Sequence, residues 1–254
     1  MTRRLVFTVD LDRDVNFHRD GEIAAGSMDR GQGTGPRFSS SEKGLQLLLE
    51  LLDDLGIRGT FFVEGRTAET IDCSGIRGHC VGFHGYDHED LTEVDSVYGI
   101  LKKGFDTVKD RISEPSCFRA PYMKIDGRVY GALGELGIGH DSSVYGALGA
   151  LPYTVSGIIE HPVAKGKDRN GKTIAAYLWP MHEGKRGPED YLDLAASFDK
   201  GDLVLSTHSW HMVERRDEGA MSANLISENL IRTRTVLEGI LDMGFEPKVL
   251  TEAL

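Results

Sequence analysis

Apolar positions in this chain fall into short runs separated by longer amphipathic stretches, a pattern that predicts strands alternating with helices. The first run opens the chain. Leu5, Val6, Phe7 and Val9 are strand formers, and the stretch from Arg4 runs out in the carboxylates of Asp10, Asp12 and Asp14. Side chains alternate along a strand, so Thr8, Asp10 and Asp12 share one face. Ser39 to Leu55 reads as a helix. Leu45, Leu48, Leu49, Leu52 and Leu55 form an apolar stripe at helical spacing, and Ser39 with Glu42 has the spacing of a capping box. Gly56 stops this helix, and Ile57 to Val63 reads as the next strand. The phrase Leu55-Gly56-Ile57 returns as Leu136-Gly137-Ile138 and as Met243-Gly244-Phe245. Each is a helix end, a glycine turn and an apolar segment, the punctuation of an α/β chain with a largely parallel sheet.

The same reading predicts strands at Cys80 to His84, Ser116 to Arg119, Ile138 to Ser142, Thr173 to Trp179, Leu203 to His208 and Lys248 to Leu250. It predicts helices at Val94 to Ile112, Gly127 to Leu136, Glu189 to Phe198 and Ser222 to Met243. With no linker or composition break, residues 1–254 read as a single domain, a barrel-like fold or a doubly wound sheet of about seven or eight strands. Both architectures put catalytic residues at the C-terminal ends of strands. The polar, glycine-rich stretch from Arg13 to Ser41 reads as a loop on the substrate side.

Composition narrows the class further. A net charge of −11 argues against a general binder of nucleic acid or anionic membrane. Cys73, Cys80 and Cys117 are widely spaced and fit neither a zinc knuckle nor a disulfide framework. There is no apolar run long enough for a leader or a membrane span, so the expected location is the cytoplasm.

The strand ends carry the candidate chemistry. Asp10 and Asp12 cannot both stay ionised at one buried end without a cation or a fixed positive group. His84 and His88 can share a metal, from a helix turn or from a tight loop, and two imidazoles with one carboxylate are a catalytic zinc set. Arg119, in Phe118-Arg119-Ala120-Pro121-Tyr122, can clamp a carboxylate. His140-Asp141-Ser142-Ser143 follows at another strand end, and the run from Leu203 delivers His208, with Trp210 and His211 nearby. Taken singly, each has an ordinary reading as a solvated carboxylate, a surface arginine, a turn or a capping histidine.

Taken in order, these motifs resemble the polysaccharide deacetylase (NodB-homology) family of metal-dependent amide hydrolases, over Phe7 to His208. Gly59-Thr60-Phe61-Phe62-Val63, Leu91 and Ile159-Glu160-His161-Pro162-Val163 add to the likeness. The resemblance implies a distorted (β/α) barrel of about seven parallel strands and one divalent metal, usually Zn2+, with Co2+, Ni2+ or Fe2+ also compatible. It implies Asp12, His84 and His88 as metal ligands, Asp10 as general base, Arg119 holding that base, and the Tyr122 N–H facing the oxyanion. His208 would be the general acid, tuned by Asp141, with Trp210 at the substrate and His211 as a rival imidazole. The expected reaction is hydrolysis of a linear C–N amide, the N-deacetylation of an amino sugar or its oligomer. The spaced Asp10-Leu11-Asp12 resembles the intracellular branch with peptidoglycan-deacetylase-like and allantoinase-like proteins, so a small cyclic amide or ureide is the alternative substrate. A metal-dependent glycosyltransferase using Asp10-x-Asp12 would leave His84, His88 and Arg119 unexplained. The implied partner is a carbohydrate or other small molecule, with no nucleic acid and no membrane, and a homo-oligomer remains open. Val144 and Tyr145 stand where the family often has Trp, and Ser206 stands where it usually has Leu.

Overall fold

In the computed structural model, which describes residues 2–14, 36–216 and 218–253, the strand Arg3–Leu11 (β1) is buried on both faces. Leu5, Val6, Phe7, Val9 and Leu11 are wholly inaccessible, as expected of a strand inside a parallel sheet with helices outside it. Its parallel neighbours are Gly201–His208 on one side and Thr60–Val63 (β2) on the other. From β2 the sheet continues through Cys80–Phe83 (β3), Cys117–Phe118 (β4), His140–Asp141 (β5) and Ile158–Glu160, all parallel. Tyr153–Val155 then adds antiparallel to Ile158–Glu160.

The sheet curls back on itself. Val163–Lys167 pairs with Tyr145–Gly146 and forms a hairpin with Thr173–Ala175. The chain beyond the hairpin bridges to Gly201–His208 through Tyr177 and Ser206. The result is a curled, mostly parallel sheet, nine strands among the described residues with Glu246–Pro247 as a short extra parallel neighbour of β1, and it matches the distorted barrel expected from the sequence.

The helix ends follow the glycine punctuation. Gly56, Gly137 and Gly244 take φ values of 63°, 78° and 82°, a left-handed turn that glycine adopts without steric cost. The start of the first helix, Ser39–Asp54, differs from the expected capping box. No side chain of its own caps it; the buried Asp14 carboxylate accepts from Ser40 N at 3.1 Å and Ser41 N at 2.7 Å. A distant carboxylate thus satisfies the free amides and complements the helix dipole.

Other boundaries shift. The helix expected from Val94 begins at Val97. Thr173 to Trp179 is strand only to Ala175, and a short helix starts at Trp179. Near the C-terminus the strand is Glu246–Pro247, followed by a 3-10 turn at Leu250–Glu252. The short helix Gly65–Thr70 and the strand Val163–Lys167, partner of the expected strand at Thr173, carry too little periodicity to be read from sequence. Most of the stretch Arg13 to Ser41 lies outside the described residues. No helix among the described residues is long and apolar enough to cross a membrane.

Two outer helices touch the loops that follow strands Gly201–His208 and β3 without intervening side chains. A Cβ on Gly44 would lie 1.8 Å from the Ser209 carbonyl oxygen, and one on Gly104 would lie 2.4 Å from that of Gly85. Backbone cannot rotate away as a side chain can. Gly44→Ala is therefore expected to lower stability by about 1–3 kcal/mol despite alanine's better helix propensity. Gly131→Ala, where a Cβ meets nothing within 4 Å, is expected to raise it by about 0.4–1 kcal/mol. Urea midpoints of the two variants test the contrast.

Candidate metal centre and catalytic cavity

The strand register assembles the site. Asp10 lies opposite His208 across the β1 pairing, and His84 and Arg119 follow directly after the paired Phe83 and Phe118. Asp12 comes just beyond β1. His84 and His88 lie on a tight loop rather than a helix. The Glu89 carboxylate holds that loop by accepting from Tyr86 N at 3.1 Å and Asp87 N at 3.0 Å, and His88 itself takes φ 56°.

Asp12, His84 and His88 are all buried, and one donor atom from each lies within 4.8 Å of the others. His84 Nδ1 is 2.8 Å from the Arg119 carbonyl oxygen. A carbonyl only accepts, so this nitrogen carries the proton and Nε2 keeps its lone pair. Both Asp12 carboxylate oxygens are buried without a hydrogen-bond partner, a costly state for a polar group away from water. Burial, reinforced by the Asp10 carboxylate, pushes Asp12 up to about 8. Burial lowers His84 and His88 to about 4, so both imidazoles are neutral at pH 7. Two neutral imidazoles and an unsatisfied carboxylate form a donor set that fits a divalent cation with an open position.

Asp10 is held in the opposite electrostatic state. Burial opposes its ionisation, but Arg119, then His84 and His208, outweigh it and bring its carboxyl down to about 2. Arg119 Nη1 donates to Asp10 Oδ1 and to Thr8 Oγ1, each at 2.9 Å. The Tyr177 hydroxyl donates to the other oxygen, Oδ2. His208 Nε2 stands 3.8 Å from Asp10 Oδ2, 3.9 Å from Asp12 Oδ2 and 3.5 Å from the Tyr177 oxygen. Tyr177 escaped the sequence reading because it sits in an irregular segment, and only its bridge to Ser206 brings it to the barrel.

Asp10, His84, His88, Tyr177 and His208 line a cavity of about 240 Å3, with Tyr122, Tyr145, Trp179 and Arg216 on its other walls. Tyr122 and Met123 take φ values of 61° and 56°; adjacent non-glycine residues in this region are strained, a condition that gathers at functional sites. The Tyr122 ring meets His88 edge-on at 4.7 Å.

Three expected participants lie elsewhere. Trp210 is buried, its ring 5.2 Å from that of His208, and does not line the cavity. The 3-10 turn Trp210–Met212 folds it inward, and Trp179 occupies the wall instead. Asp141 accepts from Ser143 N at 3.0 Å and Ser143 Oγ at 2.7 Å, and has Glu160 beside it. Burial and Glu160 hold the Asp141 carboxyl well above the ordinary range. It therefore does not orient His208, whose Nδ1 has no partner. His211 Nε2 is engaged with Glu183 Oε1 at 2.9 Å, outside the cavity.

No protein-family model matches the chain. A chitin deacetylase of Colletotrichum lindemuthianum is 35% identical over 102 residues, covering 35% of this chain and 41% of that protein. A peptidoglycan deacetylase-like protein of Gibberella zeae is 33% identical over 123 residues, covering 45% of this chain and 36% of that protein. The chain thus spans about two fifths of the length of the curated relatives it matches. Among solved structures, the Streptomyces lividans family 4 carbohydrate esterase superposes with a TM-score of 0.56 at 13% identity, over 97% of this chain and 92% of that one. The Colletotrichum chitin deacetylase gives 0.54 at 16% identity, over 98% and 86%. A CE4 family pseudoenzyme of Bacillus anthracis gives 0.59 at 13% identity, over 99% and 65%. At these identities the likeness establishes the barrel fold. Because a pseudoenzyme shares it, activity has to be argued from the side chains of the site.

The donor set makes a pH-dependent prediction. Without metal, the raised Asp12 contributes stability that is lost as pH rises toward about 8. The lowered His84 and His88 contribute stability that is lost as pH falls from about 6.5 toward about 4. The cluster therefore stabilises the metal-free fold most near pH 6.5. Chelated protein should lose Tm between about pH 6.5 and 8, and added zinc should raise Tm more at pH 8 than at 6.5. Equal zinc increments at the two pH values, by scanning calorimetry, would contradict the assignment of Asp12.

Proposed function

We propose that this chain is a metal-dependent amide hydrolase of the polysaccharide deacetylase family, removing the N-acyl group of an amino sugar. The observation that carries this reading is the pair of unpartnered, buried Asp12 oxygens facing His84 and His88, with the clamped Asp10 alongside. The named activities of the two curated relatives support an N-acetylated amino sugar as substrate. A divalent cation held by Asp12, His84 and His88 would polarise a carbonyl and acidify a water, and zinc suits this donor set best.

The chain's own residues account for the rest. Asp10 takes the proton of the attacking water. Arg119 on Oδ1 and Tyr177 on Oδ2 fix the orientation of that carboxylate, and each oxygen keeps a further lone pair for the water. Tyr122, on the cavity wall in a left-handed conformation, is the candidate to offer its backbone N–H to the developing oxyanion. Besides the candidate ligands His84 and His88, His208 is the imidazole that lines the cavity, and His211 is committed to Glu183. Burial, against the pull of Asp10, lowers His208 to about 3, so it begins the cycle neutral. It therefore receives its proton during turnover, from the direction of Asp10 and Tyr177, and delivers it to the departing nitrogen.

Acetate release from N-acetylglucosamine oligomers by zinc-reconstituted protein is the test. Asp10→Asn should keep zinc and lose about 100- to 10,000-fold in kcat. His88→Ala should lose zinc. Tyr177→Phe should lose about tenfold in kcat with KM and zinc content unchanged, as for one lost orienting hydrogen bond of about 1.4 kcal/mol. Absence of acetate with zinc bound would reject deacetylation, and loss of zinc from Asp10→Asn would mean that the roles of Asp10 and Asp12 are exchanged.

A further inference from the structure

Arg119 is aimed by a segment whose own supports do not line the cavity. The guanidinium is a rigid plane. Nε donates to the Ser142 carbonyl at 2.8 Å and Nη2 to the Ser142 hydroxyl at 2.9 Å. Those two bonds fix where the remaining nitrogen, Nη1, meets Asp10 Oδ1. Ser143 Oγ accepts from Ala120 N at 2.8 Å, so the same segment, residues 142–144, also holds the chain that leads from Arg119 to Tyr122. The orientation of Asp10 therefore depends on what holds this segment.

Two carboxyls hold it. Asp141 and Glu160 lie opposite each other across the pairing of β5 with Ile158–Glu160, and both are wholly inaccessible. The Ser143 N–H is shared between them, with its nitrogen 3.0 Å from Asp141 Oδ2 and 3.1 Å from Glu160 Oε1. Glu160 Oε1 also accepts from Val144 N at 3.2 Å. Its other oxygen accepts from the Tyr130 hydroxyl at 2.8 Å, on the helix Gly127–Glu135. The Ser143 hydroxyl donates to Asp141 Oδ1 at 2.7 Å, which leaves its lone pairs for Ala120 N. Two buried carboxyls this close cannot both ionise cheaply. Burial and Glu160 keep the proton on Asp141 well above the ordinary carboxylate range, so the pair holds one proton at neutral pH. Tyr130 and Tyr153 also face the pair, and burial, then Glu160, raises both phenols. Both stay protonated, so Asp141 is the group of this cluster that releases its proton first as pH rises.

We propose that Glu160 is a positioning residue for the general base. Paired with Asp141 and capped by Tyr130, it fixes segment 142–144, and through Ser142 it fixes the plane in which Arg119 presents Asp10. Its effect on turnover rests on the hydrolase reading, whereas its hold on Arg119 does not. The role asks more of residue 160 than bulk. It needs an acceptor for two amides, and it needs one charge, not two, between the carboxyls. Loss of the shared proton at high pH sets two like charges against each other beside the segment and spoils the aim of Arg119.

The test has two readouts. The first is solvent exchange of the Arg119 Nε–H in protein isotopically labelled at arginine Nε, which reports its bond to Ser142. The second is kcat across pH for acetate release from N-acetylglucosamine oligomers by zinc-loaded protein. Glu160→Leu removes the acceptor and keeps most of the bulk. It is expected to speed exchange by about tenfold or more and to lower kcat about 10- to 100-fold, with zinc content unchanged and KM within about threefold. Glu160→Gln keeps an acceptor for the two amides and removes the charge. It should keep slow exchange, hold kcat within about threefold of wild type at about pH 7, and lose the alkaline fall of kcat that the wild type shows. If Glu160→Leu does not fold, Tyr130→Phe takes its place, with the same two changes at about two- to fivefold. Slow exchange in Glu160→Leu, or in Tyr130→Phe where it stands in, overturns the proposal. A lowered kcat with exchange unmoved does so as well, because the effect then bypasses Arg119. A loss in Glu160→Gln as large as in Glu160→Leu also overturns it, and an alkaline fall at the same pH in Glu160→Gln and wild type overturns the role of the shared proton. Faster exchange in Glu160→Leu, kept slow in Glu160→Gln, with no acetate released by the wild type would reject the hydrolase reading and leave the hold on Arg119 standing. Acetate release at the wild-type rate by Glu160→Leu with slow exchange would do the reverse.

Discussion

A fully buried guanidinium governs the interior of this barrel. Arg119 has no solvent exposure, so every donor it carries has to find an acceptor inside the protein. Nη1 serves Thr8 and Asp10 of β1, while Nε and Nη2 serve the Ser142 carbonyl and hydroxyl at 2.8 and 2.9 Å. Its own carbonyl fixes the His84 tautomer, and its plane lies 4.4 Å from the Phe62 ring centroid. One residue thereby ties together β1, β2, the end of β4 and the segment after β5. The polar lining of an otherwise apolar barrel follows from it. Thr8 accepts from Arg119 and donates to Ser206 Oγ at 2.8 Å, which gives a use to the serine found where the family usually has leucine. Breaking a buried charge pair of this kind by removing one partner typically costs about 3–5 kcal/mol.

The same charge separates two carboxylates only two residues apart. Asp10 has Arg119 and Tyr177 and stays ionised down to about 2, whereas Asp12 has neither and is pushed to about 8. Identical side chains at the end of one strand thus acquire different chemistry from their surroundings, a division seen wherever paired carboxylates take distinct roles. The unequal clamp also explains why a spaced Asp-x-Asp suits this barrel. The intervening Leu11 points into the core and is wholly buried.

What was legible in the sequence was local. The apolar strands, their C-terminal Asp10, Asp12, His84, Arg119 and His208, and the glycine-stopped helices each rest on a few neighbouring residues, and the structure has them where periodicity put them. What was not legible depended on chain returning from afar. Tyr177 reaches Asp10 because a hairpin and a single bridge to Ser206 carry it there. Trp210 follows His208 closely in sequence, yet a 3-10 turn sends its ring into the core, while Trp179, some thirty positions earlier, lines the cavity. Asp141 ends a strand as expected, but the buried Glu160 on the neighbouring strand captures it. The helix start at Ser39 is capped by Asp14 across the stretch outside the described residues, a partner no local capping rule can find.

The glycines at positions 44 and 104 also give the cleft a mechanical polarity. Through them the loops after His208 and His84 bear directly on helices of 16 and 15 residues, backbone against backbone. Such a bearing has no side chain to act as a spring, so neither loop can shift without levering a whole rod. The donor end of the cleft is accordingly stiff. On the hairpin side, by contrast, the long side chain of Lys165 rests on the Tyr145 ring, its ammonium 5.0 Å from the centroid, rather than backbone on backbone. The spacing of Asp12, His84 and His88 is set by the frame of the barrel and not by the side chains around it.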